Sequence, residues 1–294
     1  MTLLSLLTAV KSGAPKLTHV IPSQGRDSVS AVTSLGNEVF VLRWKSQQQV
    51  EVYDASTFTL QRYITVPGLG SWSWGLAACA HYKCLYVSDD NNIHRAELSG
   101  SSAVKKWSVD SDCDLGGLSV NKEHNVVVMC LAAHKIREYT THGAFVREIS
   151  LKRARVEDPQ HAVQLSTGDY VVSESRSAGG AVSVVGIDGQ CLRRYCSSPS
   201  SDMGEMSCPT GLAVTKNDDI LVADEDNNRI LLVNSSLSSA RELALPVEHD
   251  DDDDDDDDEI QQPRGLCLDE SRGRLYVGED NGNYRVLVFD GVWL

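Results

Sequence analysis

Short apolar runs separated by polar turns fill this chain from Leu17 to its end, and no stretch sustains the 3.6-residue rhythm of an amphipathic helix. One pattern returns along the whole length: a Gly, an apolar run, a polar turn, then a second apolar run ending in an acid. It reads GLAACAHYKCLYVSDD from Gly75, GLSVNKEHNVVVMC from Gly117 and HAVQLSTGDYVVSES from His161. It returns as GLAVTKNDDILVADEDNN from Gly211 and GLCLDESRGRLYVGEDN from Gly265, with a weaker copy from Ser30. The steps are 45, 42, 44, 50 and 54 residues, so six units occupy nearly the whole chain.

Each unit divides into four strand-like segments. The first two flank turns such as Lys216–Asp219 and read as nearly continuous apolar runs, as strands covered on both faces do. Third segments include QVEVYD, KIREYT, RILLVN and RVLVFD; fourth segments such as LQRYITV and VREISL alternate and carry Arg or Lys, as outer strands do. Four strands per unit of about 45 residues is the arithmetic of a β-propeller blade. The expected fold is therefore all-β: a six-bladed propeller of four-stranded antiparallel blades, beginning near residues 30, 75, 117, 161, 211 and 265. The sixth unit lacks a fourth strand, and residues 17–23, LTHVIPS, match that pattern. The N-terminal strand is expected to complete the last blade and close the ring, with residues 16–294 forming the propeller and 1–15 a poorly ordered extension.

Charge sharpens this picture. The net charge is −15, which argues against a general binder of DNA, RNA or anionic membranes. Ten of the acids stand in the run 250–259, and without them the remainder carries −5. Ten like charges in sequence repel and stay solvated, so residues 249–259 read as a disordered loop, or as an electrostatic contact for a basic partner. No apolar run reaches the ~18 residues a spanning helix needs. The eight cysteines form no CxxC and no zinc spacing with histidine, so neither a metal nor a disulfide framework is expected, and a reducing, cytoplasmic setting is preferred over secretion.

The units carrying Pro209-x-Gly211, Ile220–Asp224 and Asn227-Asn228-Arg229-Ile230, and again Pro263-x-Gly265, Leu275–Glu279 and Arg285-Val286, resemble the NHL repeat. The second and fourth units keep the acid, Asp89 and Glu174, without the Arg; the first and third have Arg43 and Cys130 near that position. The resemblance implies a propeller similar to the C-terminal NHL domain of tripartite-motif proteins. Asp224 with Arg229 and Glu279 with Arg285 read as hairpin pairs at the surface, each worth about 0–1 kcal/mol. The Asp224–Asn228 run lacks the spacing of an EF-hand.

Propellers of this type include metal-dependent hydrolases and lyases, whose sites lie where first strands converge. Here the glycine column reads Ser30, Gly75, Gly117, His161, Gly211, Gly265, preceded by Val29, Trp74, Gly116, Gln160, Thr210, Arg264. Neither column holds a carboxylate, and GxSxG and phosphate loops are missing, so no catalytic or metal residue, no cofactor and no enzymatic activity is expected. Trp74, Gln160, His161, Thr210 and Arg264 are the candidate channel-mouth residues, with Trp72 beside Trp74 as a further contact. Lys152, Arg153 and Arg155 form the one basic cluster. By the resemblance, the expected function is a monomeric protein-interaction module, a scaffold or a substrate-recognition propeller of ubiquitin-ligase pathways. The alternatives are RNA binding through the basic cluster and a hydrolase or lyase with a divergent site.

Overall fold

The computed structural model describes residues 14–23, 27–44, 48–70, 73–99, 103–110, 112–176, 179–196, 204–246, 259–280 and 283–294. The acidic run 250–258, Trp72 and residues 1–13 lie outside the described residues. The chain opens with β1 (Lys16–Ile21) and then lays down blades from the hub outward. Blade 1 is β2 (Val29–Leu35), β3 (Glu38–Arg43), β4 (Gln49–Asp54) and β5 (Leu60–Thr65). Blade 2 is β6 (Leu76–Cys79), β7 (Cys84–Ser88), β8 (Asn92–Glu97) and β9 (Val104–Ser108). Blade 3 is β10 (Leu115–Val120), β11 (Val126–Cys130), β12 (Lys135–Tyr139) and β13 (Phe145–Ser150). Blade 4 is β14 (Pro159–Gln164), β15 (Tyr170–Glu174), β16 (Ala181–Val185) and β17 (Cys191–Tyr195). Blade 5 is β18 (Pro209–Val214), β19 (Ile220–Asp224), β20 (Arg229–Val233) and β21 (Ala240–Glu242). Blade 6 is β22 (Pro263–Asp269), β23 (Arg274–Glu279) and β24 (Val286–Asp290), and β1 is its outer strand.

Six four-stranded antiparallel sheets result, and the one helix among the described residues is the 3-10 turn Glu225–Asn227. Closure runs through β1, which pairs antiparallel with β24, Leu17 opposite Phe289 and Ile21 opposite Val286. Pairing the chain's start with its end removes the seam where a sheet edge would stand open. No described helix is long and apolar enough to cross a membrane.

Burial falls on the second strands, as their apolar runs mark, and on the third strands instead of the first. The second strands β7, β11, β15 and β19 are buried throughout, and the third strands nearly so. The first strands are half-exposed along one face, as in β14 and β22, because they line the hub. Between blades the cover is apolar on both sides: Leu221, Ala223 and Ile230 of blade 5 pack with Leu275, Val277, Leu287 and Phe289 of blade 6. Inner strands crowd closely, and a Cβ on Gly211 would stand 2.1 Å from the Arg264 carbonyl oxygen, so a side chain there would force the strands apart.

Every blade ties the end of its second strand to the loop entering its first. In four blades a carboxylate does so. Asp89 accepts the Gly70 amide (3.2 Å), Glu174 that of Glu157 (2.9 Å), Asp224 that of Ser207 (2.6 Å) and Glu279 that of Gln261 (2.8 Å). The same carboxylates take a cation or a polar partner from the outer strands: His94 at 2.8 Å, Arg194 at 3.1 Å, Arg229 at 2.7 Å and Arg285 at 2.9 Å. These carboxylates are at most 3 % exposed, so the Asp224–Arg229 and Glu279–Arg285 pairs are buried clasps, not the surface pairs expected from the sequence. Burial alone would raise the Asp89 carboxyl. Hydrogen bonds from His94, Asn92 and the Asn91 and Gly70 amides outweigh it and hold the group below the usual carboxylate range.

Blade 1 makes the tie with reversed charge. Arg43 donates to the carbonyls of Asp27 (3.3 Å), Pro22 (3.3 Å) and Tyr284 (2.8 Å) and pairs with Glu51 at 2.9 Å. In blade 3 the tie is covalent: Cys113, in the entering loop, is disulfide-bonded to Cys130 at the end of β11, with Cα atoms 4.6 Å apart. The expectation of cysteines without a disulfide therefore fails. Spacing of 17 residues carries no signal on its own, whereas the blade geometry brings both positions together.

Candidate functional site

The first strands begin around a hub cavity of about 210 Å3. Its wall holds Ser30, Trp74, Gln160, His161, Thr210 and Arg264, interleaved with glycines and Leu118. All five channel-mouth residues singled out from the sequence thus meet on one cavity. A bulge between Val29 and Ala31 turns Ser30, instead of Val29, to the hub in blade 1.

His161 stands where four other blades have glycine and blade 1 has Ser30, and it bridges three blades. The Leu212 amide donates to its Nδ1 at 3.1 Å, and its Nε2–H donates to the Leu118 carbonyl at 3.1 Å. Both neighbours are backbone, so the ring is held as one neutral tautomer. Burial lowers its pKa to about 4, against a smaller opposing effect of the Leu118 bond. Room for the ring comes from Gly117, where a Cβ would lie 2.5 Å from it.

Across the hub, Arg264 lies over the Trp74 ring at 4.5 Å, and Trp74 stacks on Trp44 with centroids 6.1 Å apart. The Arg264 guanidinium pairs with Asp280 and stands 3.7 Å from Glu225. Glu225 opens the 3-10 turn after β19, which folds its side chain inward behind the mouth until the residue is 8 % exposed. Burial pushes its carboxyl up to about 7; Arg264 opposes the rise, and Asp280 and Asp226 add to it. Reading the Asp224–Asn228 run only for its lack of EF-hand spacing misses this group; its only signal is that the run follows the strand without a spacer. Three polar atoms here are buried without a hydrogen-bond partner: Ser30 Oγ, Thr210 Oγ1 and Glu225 Oε2. Such atoms normally pair within the protein or with something bound.

The basic cluster is apart from this cavity. Lys152, Arg153 and Arg155 are exposed in the turn between β13 and β14. The carbonyls of Ala154 and Arg155 accept bonds from Arg194 (2.7 and 3.2 Å), which fixes the turn's backbone.

A divalent ion of the kind held by hydrolase and lyase propellers does not fit these residues. Both His161 nitrogens are committed to backbone, Glu225 faces a guanidinium, and no group of three His, Cys, Asp or Glu among the described residues could hold a metal.

Fold and site together define a six-bladed β-propeller with a narrow hub cavity whose largely apolar wall carries a few polar side chains. The family model of the NHL repeat matches residues 206–231 and 261–289, the two units in which its motif reads most fully. No curated protein matches the chain. Among solved structures, a streptogramin B lyase superposes with a TM-score of 0.65 at 12% identity, covering 92% of this chain and 96% of that one. A catalytically inactive virginiamycin B lyase from Staphylococcus aureus, with quinupristin, gives 0.65 at 13% identity over 94% and 99%. A protein of unknown function from Bacteroides caccae gives 0.57 at 16% identity over 82% of each chain.

These neighbours overturn the expectation that the chain is not an enzyme: lyases share its fold over nearly its full length. That expectation rested on contiguous motifs and two sequence columns. A hub site draws its groups from separate loop ends, and Glu225 meets Arg264 from outside both columns.

Proposed function

We propose that this propeller is a recognition module that seats one side chain of a partner polypeptide in its hub cavity. The observation that carries the reading is the cavity itself, with Trp74, Gln160, His161 and Arg264 gathered on its wall. At about 210 Å3 it is smaller than the roughly 300–1,000 Å3 of pockets that engulf whole drug-sized ligands, so it suits a projecting group of something larger. Trp74 and Arg264 at the mouth are residue types that anchor protein interfaces. The likeness to tripartite-motif propellers, under which the partner would be a ubiquitylation substrate, rests on the repeat residues alone. RNA is the weaker alternative: Lys152, Arg153 and Arg155 sit on a chain of net charge −15, without the aromatic platforms of single-strand binders beside them. The test is selection from a displayed peptide library. Selected peptides should bind the wild-type chain and lose at least tenfold affinity for Trp74→Ala; no selectable peptide, or binding indifferent to Trp74, contradicts the reading.

One observation favours a second reading, a lyase. Glu225 is a carboxyl group titrating near neutrality behind the mouth, as a general base requires. Incubation with quinupristin, followed by liquid chromatography, tests it. Consumption that disappears in Glu225→Gln supports a lyase; unchanged quinupristin removes that substrate.

A further inference from the structure

We infer that the side chain seated in the hub cavity is apolar, of leucine or methionine type, and is carried between basic residues of the partner. This deepens the recognition reading and rests on it for the cavity being a binding site.

The wall is divided by depth. First strands start at the hub mouth, so a residue's place along its strand sets how far in it stands. Gln160 and Arg264, near the strand starts, put polar groups at the rim. Leu76, Leu118 and Leu266 stand two residues further along than Trp74, Gly116 and Arg264, and Val32 and Leu131 add to the apolar wall. An apolar floor under a polar rim is the arrangement that holds an anchoring side chain at an interface.

The polar side chains of the wall are already committed. Both His161 nitrogens are bonded to backbone, the Ser30 and Thr210 hydroxyls are shut away from the cavity, and Arg264 is held between Asp280 and Glu225. A charged or amide side chain entering here would lose its water. Among the wall's side chains it would find little beyond Gln160 in exchange, and Gln160 already donates to the Asp158 carbonyl at 3.1 Å. An aliphatic side chain gives up no hydrogen bond and removes its own surface and that of the leucines from water.

Charge around the mouth sets the flanks. The ends of second strands and the starts of first strands share one face, and Asp90, Asp114, Asp158 and Asp226 are exposed there. None of the four has a salt bridge to a described residue. The Asp90 carboxyl is pushed up by burial and by the charges of Asp89 and Asp114. Among the bases of this face, Arg264 is paired with Asp280 and Arg176 with Glu157, while Lys152, Arg153 and Arg155 lie apart from the cavity. A partner that lowers an apolar side chain between lysines or arginines meets these acids; one with acidic flanks is repelled.

The probe is acetyl-Lys-Leu-Lys-amide, titrated calorimetrically into the full chain beside counterparts with Ala, Gln or Glu at the centre and one with Glu at both flanks. The Leu peptide should bind at least tenfold more tightly than the Ala, Gln and Glu peptides, the loss that goes with uncovering a side chain of that size. Glu flanks should weaken it about fivefold. Added salt should shrink that second difference and leave the first in place. Leu131→Gln should reduce the preference for Leu, and Asp90→Lys with Asp114→Lys the preference for Lys flanks, with melting temperatures that show both variants folded. No measurable binding of the Leu peptide, a preference for a polar centre, equal binding of Lys- and Glu-flanked peptides, or variants that alter neither preference would overturn the inference. If library peptides depend on Trp74 but converge on a polar anchor or on acidic flanks, this inference falls and the recognition reading stands. No selectable peptide, or none that responds to Trp74→Ala, removes the recognition reading and this inference with it.

Discussion

His161 and Glu225 titrate in opposite senses, and their opposition makes the hub testable by pH. The fold lowers His161 to about 4 from an ordinary 6.5, so it favours the neutral ring. That contribution is complete above pH 6.5 and is lost as pH falls toward 4. Glu225 is raised to about 7 from an ordinary 4.5, so the fold favours its protonated form; that contribution is complete below pH 4.5 and is lost as pH rises toward 7. The two slopes oppose each other between pH 4.5 and 6.5. Glu225→Gln removes one of them. The variant's melting temperature should climb more steeply than wild type across that window and exceed it at pH 8, by about 2 kcal/mol of stability after allowing for solvent at the mouth. Parallel melting curves for the two proteins would contradict the burial of Glu225. His161→Ala should cost about 2 kcal/mol, because it strands the Leu118 carbonyl and the Leu212 amide and empties the space beside Gly117; urea denaturation measures it.

At the level of the blade, the repeated unit is four strands plus one clasp, and the clasp explains the sequence's irregularities. Asp224–Arg229 and Glu279–Arg285 are visible in the repeat because acid and base flank one hairpin. The other clasps were hidden since each changes one member: His94 stands in for the arginine, Arg194 arrives from the fourth strand, Arg43 reverses the charges, and Cys113–Cys130 replaces the ion pair by a bond. Asp224→Ala should cost about 3–5 kcal/mol, since it leaves a largely buried guanidinium and the Ser207 amide without their acceptor. Cys113→Ala should cost about 3 kcal/mol relative to the oxidised wild type, the value of closing a loop of this size. Added dithiothreitol should lower the wild-type melting temperature and leave that of Cys113→Ala unchanged. Equal sensitivity of both would place the bond elsewhere.

Across the whole molecule, ring architecture was legible because blades are built one after another: six repeated units, four of them led by glycine, their strand order and closure by the N-terminal strand follow from local pattern. Deleting residues 1–23 should lower the melting temperature sharply, as β24 loses its partner strand and the blade 6 core loses the Leu17 and Val20 side chains packed against it. The cavity wall was legible for a related reason: first strands start at the hub, so one sequence column maps onto one ring. What escaped the column was chemistry delivered by loops, above all Glu225, and with it the kinship of fold with lyases. The hub mouth as the meeting point with a ligand is tested most directly by hydrogen exchange on the full chain with and without a selected peptide. Added protection should fall on the amides around Ser30, Trp74, Thr210, Glu225 and Arg264. Protection confined to outer strands such as β13 and β17, with the hub amides unchanged, would contradict it.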